Sequence, residues 1–243
     1  VRAFRRDGDV LVAEVDAGER EVLATVVADV AELLGAGRLE DRAAARGRAA
    51  READDGPQLR LRSDPLPVPD DPAVRRLLPD ASRDDDAVAA EFRRLTEDDL
   101  RQQKIDRLAG LFDLLTVDAL ANGAATTAPE DGAASTRRGR RARGRHEAAA
   151  AVRVPVPDAP ALAATLTDVR LVLAERLGVT DEETSARLED EVAHARPDDH
   201  AAQARQYLGS VFLALGWWQE SLLACLLADL PEGPGRRRPG ARD

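Results

Sequence analysis

One stretch, Ala201–Ala228, limits what this chain can fold into more than any other. Ala204, Leu208, Val211, Leu215, Trp218, Leu222 and Cys225 recur four and three residues apart by turns, the spacing of one face of an α-helix. Both tryptophans lie in it. A second face carries Gln206, Gly209, Ser210, Leu213, Gly216, Trp217 and Glu220. Gly209 and Gly216 are two turns apart and open the same side to a close neighbour. A mid-helix glycine costs about 1 kcal/mol relative to alanine, which close packing offsets. A helix apolar on two faces is either central in its own bundle or half-covered by a partner. The central position, against a helix at Asp158–Leu177, is the expected one. Gly209, Leu213, Gly216 and Trp217 form the candidate packing or partner face.

The remaining core must suit that helix. Aromatic residues are only 3% of 243, so Leu, Val and Ala have to fill the interior, which favours helix packing over a sandwich. A net charge of −10 argues against a general nucleic-acid binder, which needs a basic surface. Cys225 is the only cysteine, so neither an intramolecular disulfide nor a cysteine zinc cluster can form. Arg2, Arg5 and Arg6 run straight into a turn with no apolar signal region. The apolar run ending at Trp218 is broken by Gly209, Ser210 and Gly216, which reads as too short and punctuated for a membrane span. A cytoplasmic protein is expected.

Taken in order, residues 1–35 read as a β-hairpin turning at Asp7-Gly8, with Val10, Val12 and Val15, followed by a helix. Asp16 and Glu19 have the spacing of a capping box, and Gly35 ends the helix. The hairpin is expected to lie against that helix. Residues 36–70 lack an apolar face and read as a flexible linker. Helices of the bundle occupy 71–121. Asp71-Pro72 starts one, Asp84, Asp85 and Asp86 start another ending near Leu95, and Thr96 with Asp99 caps a third. Residues 122–151 read as a flexible Arg-rich insertion. Residues 152–230 begin with the alternation Val152, Val154, Val156. A helix capped by Asp158 and stopped by Gly178 follows, then an acidic segment to His194 and the closing helix. Residues 231–243 form a flexible tail. The fold class is therefore mainly α: a helical bundle with a small N-terminal β-hairpin and two flexible insertions.

Four blocks also carry a family resemblance: Asp71–Asp80 (DPAVRRLLPD), Glu91–Lys104 (EFRRLTEDDLRQQK), Asp168–Val179 (DVRLVLAERLGV) and Leu208–Leu223 (LGSVFLALGWWQESLL). In order and spacing they resemble an actinobacterial family known only as domain of unknown function two-thousand-seventeen. Its members are often encoded beside the adaptor of the Clp protease and near peptidase genes, and some are labelled transcriptional regulators. The resemblance implies a regulatory or adaptor-like setting and brings no catalytic residues.

Charges on apolar faces are the next candidates. Arg170 interrupts Val169–Leu173 near the inward face of its helix, and Glu220 sits beside Trp217 in the closing helix. A half-buried charge needs a partner, so Arg170 is expected to pair with Glu220 or near Asp168, fixing the register of the two helices. The mixed-charge stretch from Glu91 to Lys104 reads as a solvated helix junction, with partner docking as its second reading. Arg137, Arg138, Arg140, Arg141, Arg143 and Arg145 form a basic run that could attract an anionic partner, although no aromatic residue interleaves it. His146, His194 and His200 lack ligand spacing, and no Walker loop, GxSxG elbow or dinucleotide glycine pattern occurs. No cofactor or metal is expected. Cys225 reads as a small core residue.

The expected function is non-enzymatic: a regulatory or adaptor-like protein acting through helical contacts with a protein partner, with a link to Clp-type proteolysis implied by the resemblance. The alternative is a transcriptional regulator contacting DNA through Arg-rich segments. Arg101, Gln102, Gln103 and Lys104 come nearest to a major-groove reader, but Glu97, Asp98 and Asp99 precede them and would repel phosphate.

Overall fold

The computed structural model of the chain describes residues 1–41, 67–123 (backbone only over 117–123), 151–194 and 200–228. The Arg-rich run, the tail and most of the two expected insertions lie outside the described residues. Within them the protein is mainly helical with a small antiparallel sheet.

Strands β1 (Arg5–Asp7) and β2 (Val10–Glu14) form the expected hairpin. Asp7 pairs with Val10, leaving Gly8 and Asp9 as a two-residue turn, and Gly8 takes the positive φ of 63° that such a turn demands. A third strand, β3 (Ala151–Pro155), pairs with β2 in the register Leu11 to Val154 and Ala13 to Val152. The valine alternation is thus the far edge of the hairpin's own sheet, while Val156 belongs to a 3-10 turn leading into the next helix.

Helix α1 (Ala17–Leu33) starts from the capping box of Asp16 and Glu19. Gly35 leaves the helix with φ 86°, but packing continues to Leu39, which is buried beyond the expected helix end. Helix α2 (Pro72–Leu77) is capped by Asp71, whose carboxylate accepts from the Ala73 N–H at 2.8 Å. Helix α3 (Asp86–Gly123) runs for 38 residues without the expected break at Thr96. The Thr96 hydroxyl donates to the Phe92 carbonyl one turn back, so it bonds within the helix and caps nothing.

Helix α4 (Ala159–Leu177) ends at Gly178 in the left-handed conformation; Asp158 precedes it but makes no capping bond with its side chain. Helix α5 (Glu182–His194) is fastened at its start by Asp181 and Thr184, each accepting the other's backbone N–H. Helix α6 (His200–Leu227) closes the bundle.

Helix α4 packs broadly on α6 and also touches α2 and α3, while α1 packs on α3 and α5 on α6. The hairpin's main helical support is α6, not α1: Phe4 stacks on Trp218 with ring centroids 5.0 Å apart. Trp218 and Leu222 are fully buried. A single apolar cluster joins the sheet and α1–α6, so burial on the order of 25 cal/mol per Å² drives all of them together.

Candidate functional site

The inward stripe of α6 begins later than its spacing suggested. Ala204 is exposed and Leu208 half-buried, with full burial reached at Val211, Leu215, Trp218 and Leu222. Cys225, at the end of the stripe, is partly buried and its thiol donates to the Phe4 carbonyl at 3.4 Å. By length and composition α6 could also cross a membrane, its most apolar window having a mean hydropathy of 1.4. That departs from the expectation of a segment too punctuated to span, although here the Trp218 side of α6 is core.

The face carrying Gly209 and Gly216 is covered. A Cβ on Gly209 would stand 2.8 Å from the Val192 side chain and 2.9 Å from Leu188, both on α5. A Cβ on Gly216 would meet the Arg170 guanidinium at 3.2 Å. These glycines admit α5 and an arginine side chain, which makes them packing positions. Leu213, on the same face, is half-buried, whereas Trp217 is 47% exposed. Leu223 and Leu227 are exposed farther along the helix.

Arg170 does not pair with Glu220. Its Nη1 donates to Gln219 Oε1 at 2.8 Å, and its guanidinium lies 5.2 Å from the centre of the Phe212 ring. Glu220 is exposed. Successive helical residues point about 100° apart, so the residue that faces α4 is Gln219. Its amide nitrogen also donates to Thr167 Oγ1 (2.6 Å) and to the Ala163 carbonyl (3.1 Å), so one neutral side chain makes three bonds across the seam. Across the α4–α6 seam Arg170 thus meets a hydrogen-bonded amide instead of the expected carboxylate.

Asp168 has other partners. It is 5% exposed and accepts from Lys104 Nζ at 2.6 Å and from Arg107 at 3.2 Å, tying α4 to α3. Lys104 is the only lysine in the chain. Sequence reasoning missed this triad, whose one visible signal was an aspartate on a mostly apolar helix. Glu97, also buried, accepts from Arg101 at 2.6 Å, and Arg101 donates to the Leu34 carbonyl at the end of α1. Arg101 and Lys104 are therefore engaged inside the bundle. The stretch is not wholly a solvated junction: its inner side ties α3 to α4 by ion pairs and to the end of α1 by the Arg101 hydrogen bond.

Its outer side is apolar at the N-terminal end. Val88, Phe92 and Leu95, spaced four and three residues apart, are 53%, 48% and 57% exposed. Phe92 also borders a small cleft of about 20 Å³ between α3 and the connection from α2, lined by Leu78, Pro79, Ala89, Arg93, Glu97 and Leu100. Arg93 is paired with Asp80 at its edge. Glu91, beside the stripe, is held below the usual carboxylate range by hydrogen bonds from Arg94.

Among the described residues no three His, Cys, Asp or Glu side chains gather as a metal-binding set. The family model described as a domain of unknown function (DUF2017) matches residues 1–226. No curated protein and no solved structure matches the chain.

Proposed function

The chain belongs to the DUF2017 family, and on that premise we propose that it is a non-enzymatic, adaptor-like regulatory protein of the cytoplasm that works by docking other proteins on its helices. One observation carries the reading. Two long helices each leave large apolar side chains in water: Val88, Phe92 and Leu95 on α3, and Trp217, Leu223 and Leu227 on α6. Helix α4 packs against both, so the two surfaces belong to separate helices of one scaffold. The α3 residues form one exposed stripe of the kind that docks a helix, while on α6 Trp217 lies on a different side from Leu223 and Leu227, a broader exposed apolar surface; two such surfaces suit a protein that joins partners. The resemblance to a family encoded beside Clp adaptor and peptidase genes directs the search to Clp-type proteolysis.

The test is photo-crosslinking inside cells, with a photoreactive phenylalanine analogue at Phe92, at Trp217 and, as a control, at the exposed Glu183 of α5. Protein adducts at the first two sites and none at the third are expected. Adducts to DNA alone, or none above the control, would overturn the reading.

A further inference from the structure

The outer stripe of α3 has a charge setting that narrows what it can hold. From Asp80 to Asp99 the chain carries eight carboxylates against three arginines, a net −5. Two of the three arginines are already engaged. Arg93 is paired with Asp80, Arg94 with Glu91, and only the exposed Arg83 has no ion pair among the described residues. Asp84 and Asp86 at one end of the stripe, and Asp99 one turn past Leu95, are exposed and have no cationic partner among the described residues. An apolar row is thus bracketed by unneutralised carboxylates at both ends.

We propose that this stripe docks a basic amphipathic helix of a partner protein, its apolar face on Val88, Phe92 and Leu95 and its lysines or arginines beside Asp84, Asp86 and Asp99. The proposal rests on the adaptor reading and specifies the chemistry of one of its two partners. Three anchors over seven residues span about 10 Å, two turns of a docked helix. Complementary charge then selects the partner and raises the encounter rate. A second copy of this chain is disfavoured, because it would bring one net-negative stripe against another. The chain's own Arg137–Arg145 could meet the carboxylates, but it contains no large apolar residue to cover Phe92.

The experiment uses the full chain and three labelled helical peptides, with binding read by fluorescence anisotropy. One peptide has leucines at i, i+4 and i+7 with flanking lysines; the second replaces the lysines by glutamates; the third has the first composition scrambled. The basic amphipathic peptide is expected to bind at least about tenfold more tightly than either control. Phe92→Ser with Leu95→Ser should reduce its affinity about tenfold or more. Asp84→Asn with Asp86→Asn and Asp99→Asn should flatten its dependence on salt. All five positions are exposed, so unchanged thermal melts will show that the variants are folded.

Equal binding of the acidic or scrambled peptide would overturn the proposal, as would full affinity in the Phe92/Leu95 variant. Binding that appears only after deletion of residues 136–145 would make the Arg-rich segment the occupant. A dimer that the Phe92/Leu95 variant dissociates would make it a second copy. Crosslinks at Phe92 without preference for the basic peptide would sink the partner chemistry and leave the adaptor reading standing. Absence of both would remove the two together.

Discussion

Gln219 shows how much a single helical position decides. Its amide accepts the only hydrogen bond that the Arg170 guanidinium donates among the described residues, and Arg170 Nε is already buried without a partner. Gln219→Leu would strip that acceptor from a half-buried cation that lies against Phe212 and Gly216. A loss of roughly 1–3 kcal/mol is expected in urea unfolding, the cost of leaving a buried donor unmade. Glu220→Ala, one residue away and exposed, should stay within about 0.5 kcal/mol of the parent protein. Equal losses in the two variants would return the carboxylate to the seam. Opposite charge made Glu220 the obvious partner on paper, but only the phase of the helix selects between neighbours 100° apart.

Asp168 carries more weight at the level of elements, because its own buried carboxylate joins α3 to α4 through two half-buried cations. Asp168→Ala should cost about 3–5 kcal/mol by urea denaturation, whereas Lys104→Met, which leaves Arg107 on the carboxylate, should cost clearly less. The reverse order would mean that the lysine, not the aspartate, organises the contact. What sequence made legible here is the local chemistry. Asp16 with Glu19, Asp71 before Pro72, and Gly178 each act within a few residues of their own position, and the structure has all three. Thr96 and Asp99 have the spacing of a cap too, but Arg101, itself paired with Glu97, and Lys104 are fastened to neighbouring elements and α3 runs straight through the site. The pairing of β3 with β2 and the Lys104–Asp168–Arg107 contact join distant residues, and no local pattern encodes them. The exposed stripe of α3 was readable only as charge until the helix phase placed Val88, Phe92 and Leu95 outward.

Across the whole molecule, α2 is held to the C-terminal turn of α4 by Arg176 with Asp71 at 2.5 Å and by Arg76 with Glu175 at 2.6 Å. The hydrogen bond from Arg176 holds the Asp71 carboxyl below its ordinary value, with the Ala73 N–H adding to the effect. The backbone N–H of Thr184 lowers Asp181 in the same direction. A carboxylate whose folded-state pKa is depressed stabilises the fold fully above the unfolded-state value and loses that contribution as pH falls through the folded one. Stability should therefore decline from about pH 4 downward, the ordinary range of these groups. Arg176→Gln should make the acid limb of the unfolding midpoint shallower; an unchanged limb would discount the Asp71 contact. The stack of Phe4 on Trp218 has a separate consequence for how the chain is made. The Phe4 N–H is received by Ser221, 217 residues later, so the hairpin meets its main support only after nearly all of α6 has left the ribosome. At roughly 5–20 residues per second that is an interval of roughly 10–40 s. During it the hairpin lacks its α6 contact, and Phe4 stays uncovered until Trp218 and Ser221 are made.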